Sequence, residues 1–287
     1  MSMFLEKAGI NRIAAIVWNI FGLSLLLLIV SCGGSGSGGN AVSPPVVLPP
    51  SLNGSITTNT VISSNNTGAS YQVSVYLPAD YALTTDILPV IYALDGGVDN
   101  GDRFLNMAKI TEQQGVRAVL IGIGGYARRE TDYRLPGANN FHAFVTTELI
   151  PFIESKYRTD PSTRTLSGHS YGGFFAVVAL LMDHPDRRYF ANYISQDTAT
   201  ADQEALLFEM EQQLFTASAG KLPGTTLILS GATGTLGNDV SVEAVYQRLL
   251  MRNYQGLKLQ RIPAYSLGHM EMFEPSFRDS IHLLFEG

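Results

Sequence analysis

Cysteine is nearly absent from the sequence: Cys32 is the only one in 287 residues. No intramolecular disulfide framework and no cysteine-rich zinc site can be built from a single thiol. Charge is sparse as well, at 15% of residues, and cations do not predominate. Nineteen Lys and Arg against 25 Asp and Glu leave a net charge of −6, with a pI near 5.4. Such a chain presents no basic field to a phosphate backbone, and nucleic acid is excluded as a partner. There is no internal repeat, so solenoid and propeller architectures are excluded too. What remains is a chain with 45% hydrophobic residues, long enough for one large domain with a sizeable core or for two small ones.

The N-terminus reads as a targeting segment. Lys7 and Arg12 form a basic flank, and Ala14 to Val30 carries no charge. Seventeen residues at 1.5 Å each would span roughly 25 Å, marginal for a membrane helix and long for a signal core. The segment ends in Ile29-Val30-Ser31-Cys32-Gly33, which resembles the bacterial lipobox. That resemblance implies cleavage before Cys32, acylation of its thiol, and a protein held at the cell envelope outside the cytoplasm, on its periplasmic or surface face. An uncleaved anchor and ordinary secretion are the alternatives, and both also export the domain. Residues 33–39 (Gly-Gly-Ser-Gly-Ser-Gly-Gly) and the pairs Pro44-Pro45 and Pro49-Pro50 form a leash of coil and extended spacer. Residues 1–31 are thus expected to be a signal peptide, 32–54 a linker, and 55–287 one domain.

In that domain, Tyr71–Leu77 alternates with period two, as a half-buried strand does. Pro89–Leu94 and Ala118–Ile123 are continuous apolar runs, the pattern of strands covered on both faces. Further strands are expected at Arg164–Ser167, Tyr193–Ser195, Thr226–Ser230 and Lys258–Pro263. Helical stretches are expected at Arg103–Gln114 and at about 172–183, 201–217, 240–254 and 274–285. Asn140–Tyr157 also has helical spacing, with a kink or a break expected at Pro151. Strands alternating with helices predict an α/β fold with a mostly parallel central sheet and helices on both faces.

Gly168-His169-Ser170-Tyr171-Gly172 sits where that pattern passes from strand to helix. A G-x-S-x-G match alone is weak, because a Gly-rich turn with an incidental serine would also produce it. Here a short strand signal, Thr165-Leu166-Ser167, leads in, and an apolar helix from Phe174 to Leu181 leads out. A serine on such a turn projects its hydroxyl from the sheet edge, and glycines at 168 and 172 leave room for the crowded backbone. The helix N-terminus aims amides at developing negative charge, with the Tyr171 N–H as one oxyanion donor. A second donor is expected from the turn Leu94-Asp95-Gly96-Gly97, at the Gly97 N–H. The spacing of Asp95, Asp99 and Asp102 does not complete a calcium loop, so they read as solvated turn residues. No metal site is expected.

The serine needs a base. His169 adjoins it and points away, His142 and His282 lie on helices, and His184 precedes Pro185 at a helix end. His269, between the last strand and the last helix, stands where the order Ser…acid…His places the base. For the acid, the loop after the penultimate strand offers Asp239, with Glu243 in reserve and Asp197, after the preceding strand, as a third option. A dyad without an acid is the remaining alternative. The spaced glycines of residues 231–237 imitate a phosphate loop, but their position late in the fold favours a plain mobile loop.

Several ordered segments carry a wider resemblance: Val75-Tyr76-Leu77-Pro78, Val90-Ile91-Tyr92-Ala93-Leu94-Asp95-Gly96, and Arg129-Glu130-Thr131-Asp132-Tyr133-Arg134-Leu135-Pro136. Glu148 to Glu154, Tyr157 to Asp160, Ser167 to Gly173 and Gly268-His269 continue it. From about residue 71 to 285 the chain resembles the putative-esterase (esterase D-like) family of α/β-hydrolases. The resemblance implies a serine carboxylic-ester hydrolase with a triad of Ser170, an acid and His269, donors near Gly97 and Tyr171, and no cofactor. Its substrate would be a small-molecule or carbohydrate-linked ester. One departure is that many relatives carry a Glu soon after the penultimate strand, where this chain has no carboxylate before Asp239. A siderophore trilactone esterase, an acyltransferase using the same triad, and a non-catalytic surface-binding module are the rival readings. For the first of these, Arg128 and Arg129 could bind substrate, although paired arginines in a loop more often lie in solvent.

Overall fold

The computed structural model describes residues 51–184 and 186–285; the expected signal peptide, Cys32 and most of the expected linker lie outside them. Eight strands form one sheet in the order β1-β2-β4-β3-β5-β6-β7-β8. They are β1 (Ser55–Ser63), β2 (Ser70–Leu77), β3 (Val90–Leu94), β4 (Val119–Ile123), β5 (Thr165–His169), β6 (Asn192–Gln196), β7 (Lys221–Ser230) and β8 (Gln255–Arg261). β2 is antiparallel to β1 and β4, and β3 to β8 run parallel. The expected α/β-hydrolase architecture is thus present. Among the described residues the α-helices are α1 (Arg103–Gln113), α2 (Arg129–Asp132), α3 (Gly137–Phe144), α4 (Ile150–Glu154), α5 (Tyr171–Met182), α6 (Glu204–Ala217), α7 (Asp239–Arg252) and α8 (Phe273–Phe285). None of them is long and apolar enough to cross a membrane.

The apolar runs are buried on both faces because alternate side chains enter different cores. Val90, Tyr92 and Leu94 pack with Phe141, Phe144, Phe174 and Val245, under α3, α5 and α7. Ile91 and Ala93 pack with Phe104, Met107, Phe277 and Ile281, under α1 and α8. Helix α5 is buried from Gly172 to Leu181, an all-round apolar helix wedged between the sheet and its neighbours.

Three elements differ from the sequence reading. β1 carries no apolar pattern, being a threonine-rich edge strand whose residues alternate between exposed and half-buried. β7 starts five residues earlier than expected, with a register shift against β8 between Lys221 and Thr225. The helical stretch around Pro151 is not broken: a π turn at Val145–Leu149 joins α3 to α4 just before the proline. Proline lacks the donor for the bond four residues back, and the wider turn accommodates the missing bond within a continuous helical path.

Candidate active site

The carboxyl ends of three adjacent strands define the site. β3, β5 and β6 end in Leu94, His169 and Gln196, and the next residue in each case has a left-handed backbone: Asp95 at φ 57°, Ser170 at 63° and Asp197 at 47°. Such conformations cost of order 1–3 kcal/mol for a residue with a Cβ, so the surroundings must hold them. At Ser170 the N–H donates to the Gln196 carbonyl (2.9 Å), while the Ser170 carbonyl accepts from Phe174 (2.9 Å) and Ala199 (3.2 Å). Phe174, Phe175, Val178 and Leu180 of α5 are fully buried. At about 1.5–3 kcal/mol for each large apolar side chain, any two of them offset the strain.

The glycines around the serine have unequal roles. A Cβ at Gly168 would run into the carbonyl of Gly172, and one at Gly173 would lie 2.7 Å from the Gln196 carbonyl. At Gly172 the nearest atom outside its own helix would be Leu94 Cβ at 3.4 Å. Close packing therefore demands glycine at 168 and 173 more than at 172.

His269 lies on the loop between β8 and α8, and three contacts fix it. Its N–H donates to the Thr235 carbonyl at 2.9 Å, its carbonyl accepts from His169 Nε2 at 2.8 Å, and its ring packs on the His169 ring at 4.4 Å. The sequence reading turned His169 away from the serine and gave it no task, whereas its ring lies against that of His269. Burial first, then Arg103 and His269, push the His169 pKa well below the ordinary imidazole value. It therefore stays neutral, so the ring stacked on it can become cationic without facing a second charge.

The acid beside His269 is Asp197, not Asp239. His269 Nδ1 lies 2.5 Å from Asp197 Oδ2. The carboxylate has no solvent exposure, and further donors compensate its burial. Ala232 N–H (2.8 Å) and Asn238 N–H (3.0 Å) donate to Oδ1, and Asn238 Nδ2 lies 3.2 Å from Oδ2. A proton held on Nδ1 leaves Nε2 as the accepting nitrogen. Asp239 instead opens α7 and pairs with Arg261. Glu243 is half-exposed, lies 3.6 Å from Arg261 Nε and accepts from Gln247 Nε2 at 2.8 Å. The loop after β7 thus supplies backbone donors to a carboxylate on the neighbouring strand, rather than the carboxylate itself. A positive φ at Asp197 is what turns that side chain toward the loop, and sequence spacing carries no sign of it.

The expected oxyanion donors lie just beyond the ends of β3 and β5. Gly96 N–H bonds the Ile123 carbonyl at 3.0 Å, and Gly97 follows in extended backbone. Tyr171 N–H opens α5, where first-turn amides have no partner within the helix. Asp95, read as solvated, is instead fully buried. Arg129 Nη2 stands 3.0 Å from its Oδ2 as a contact of charges, without hydrogen-bond alignment. Arg129 also donates to the His169 carbonyl at 3.0 Å. Burial pushes the Asp95 carboxyl upward, opposed by Arg129 and Arg103. Arg128 pairs with Asp132 at 2.8 Å, so neither arginine lies free in solvent. His169, Asp197 and His269 offer ligand atoms within 4.8 Å of one another; His269 Nδ1 and Asp197 Oδ2 already engage each other, and His169 Nε2 is taken by the His269 carbonyl.

Residues 64–205 match the family model described as putative esterase. The chain belongs to the putative esterase family. With the family comes the reaction class: this esterase is a carboxylic-ester hydrolase. It is 25% identical over 252 residues to ferri-bacillibactin esterase BesA of Bacillus subtilis (strain 168), covering 74% of this chain and 83% of that one. An IroE-like serine hydrolase from Shewanella oneidensis shares the fold at a TM-score of 0.69 and 24% identity, over 81% of this chain and 80% of that one. So does siderophore hydrolase EstA from Aspergillus nidulans, at a TM-score of 0.66 and 18% identity, over 86% and 98%.

Proposed function

We propose that this esterase cleaves its substrate through an acyl-enzyme on Ser170, with His269 as general base and acid and Asp197 as the carboxylate that orients it. The observation that carries the reading is the 2.5 Å contact between His269 Nδ1 and the buried Asp197, on loops flanking the strained serine. His269 Nε2 takes the Ser170 proton as Oγ attacks the ester carbonyl. The N–H groups of Tyr171 and Gly97 hold the oxyanion. As the tetrahedral species collapses, His269 returns the proton to the departing alcohol, leaving the acyl group on Oγ. Water then attacks with His269 again as base, releasing the acid and restoring Ser170. Residues already named serve every step.

Short-chain p-nitrophenyl esters test this directly. The protein is expected to hydrolyse them and to take up one fluorophosphonate per chain at Ser170, read by peptide mass. A folded protein that does neither ends the esterase reading. A siderophore ester is the second reading, favoured by the names of BesA and EstA.

Export and lipid anchoring belong to the same proposal and rest on the run ending at Cys32. Cys32→Ser is expected to abolish palmitate labelling and release the esterase from the membrane fraction. A variant that stays membrane-bound would favour the uncleaved anchor.

A further inference from the structure

The loops after β7 and β8 close on each other beside the base. The N–H groups of Thr233 and Gly234 donate to the Tyr265 and Leu267 carbonyls, and that of His269 to the Thr235 carbonyl, each at 2.9 Å. This ladder carries a turn in which Gly237 N–H bonds the Gly234 carbonyl at 3.0 Å. Leu236 is the third residue of that turn and takes φ 58°, a place that favours glycine or asparagine. Among the described residues it is the one large apolar side chain on a left-handed backbone.

Burial does not offset the strain at Leu236. At Ser170 the packing of α5 holds a similar angle, whereas Leu236 is 82% exposed. Its side chain adds nothing to the core, and a glycine would make the turn more easily. Val240 (86%), Met270 (58%) and Leu267 (37%) are further exposed apolar side chains, four residues from Leu236 or within two of His269. From Gly231 to Asn238 and from Ile262 to Met270 there is no Asp, Glu, Lys or Arg. An apolar patch beside a reaction site marks a surface that is covered when the protein works.

The reaction decides what covers it. β3 flanks β5 on one side, and β6, β7 and β8 follow on the other. The carbonyl oxygen of the ester is held on the first side, by the Tyr171 and Gly97 N–H groups. The alcohol oxygen receives its proton from His269, so it lies within hydrogen-bond reach of Nε2. Whatever is bonded to that oxygen therefore leaves the site past the loop of the base and the turn laddered to it. A polyol there would press hydroxyls against leucine, valine and methionine without partners, whereas a hydrocarbon loses only water. We propose that Leu236, with Val240, Leu267 and Met270, forms the leaving-group surface and selects esters of an apolar alcohol, one with a hydrocarbon chain or ring. The assignment rests on the esterase reading above.

Ethyl acetate and hexyl acetate share an acyl group and have leaving groups of similar basicity, so their KM values compare contact with the alcohol chain. The wild type is expected to show a KM about tenfold lower for hexyl acetate, the scale of four methylenes half-covered on an open surface. Leu236→Gly and Leu236→Ala are each expected to raise that KM about threefold. Turnover, and both constants for ethyl acetate, are expected to stay within about twofold. Only glycine relieves the backbone, so Leu236→Gly is expected to melt about 2 °C above Leu236→Ala. Met270→Gln is expected to raise the hexyl acetate KM about threefold as well, and it carries the test if changes at 236 disturb the turn. Equal KM values for the two esters in the wild type, an unchanged preference in all three variants, or equal losses on both esters would each overturn the surface. So would a Leu236→Gly protein that melts below the alanine variant. A wild-type dimer that Leu236→Gly dissociates in sedimentation, with the ester preference unchanged, would give the patch to a second copy of the chain instead. Cleavage of ethyl acetate but not hexyl acetate overturns the surface alone. Cleavage of neither, nor of any p-nitrophenyl ester, ends the esterase reading itself.

Discussion

Ser170→Ala is expected to lower kcat for p-nitrophenyl butyrate by on the order of 10⁵–10⁶, with a far-UV spectrum like that of the wild type. The alanine keeps the backbone of the elbow and removes only the attacking oxygen. Amides at Tyr171 and Gly97 remain, and a binding site with an oxyanion hole keeps some rate enhancement over water, on the order of 10³. His269→Ala is expected to cost a similar amount. Because the two residues act on one proton, the double variant is expected to be little worse than either single one. Steady-state rates and fluorophosphonate uptake for the three variants form one experiment. Activity within about tenfold of wild type in either single variant would remove that residue from the chemistry.

Asp197→Asn is expected to lower kcat by roughly 10⁴ while leaving the fold intact. Three neighbouring donors reach the Asp197 carboxylate besides His269: the N–H groups of Ala232 and Asn238, and Asn238 Nδ2. An asparagine can still accept with its carbonyl oxygen, but it turns an amide N–H toward His269 Nδ1. The imidazole then carries its proton on Nε2, the nitrogen that has to take one from serine. Asp239→Asn is the matched control. It loses a partly exposed ion pair to Arg261, worth about 0.2–1 kcal/mol of stability, and kcat is expected to stay within about twofold. Measuring kcat and Tm for both variants decides the point. A larger fall in kcat for Asp239→Asn would return the acid to the loop after β7.

The contrast between these two aspartates shows where sequence reasoning stops. Ser170 was legible because a strand run, two crowded glycines and an apolar helix surround it in contiguous order. His269 was legible from its place after the last strand. Which strand carries the acid depends instead on a backbone angle at Asp197 and on amides 35 and 41 residues further along the chain. Neither leaves a local pattern. Apolar runs announced β3 and β4, whereas β1 holds its place by edge pairing with β2 through threonines that bury little. Asp95 was hidden for a related reason: in a stretch of glycine and aspartate, a carboxylate reads as a solvent-facing turn residue. Only the placement of Arg129 against it shows that it is enclosed.

The hydrogen bond from His169 to the His269 carbonyl has a mechanical consequence. The loop bearing the base leaves from β8, the margin of the sheet, where strands fray first. Its carbonyl, however, is moored to the residue next to the nucleophile, on a strand in the middle of the sheet. Local breathing at the margin is thus decoupled from the spacing between base and nucleophile, which shift together.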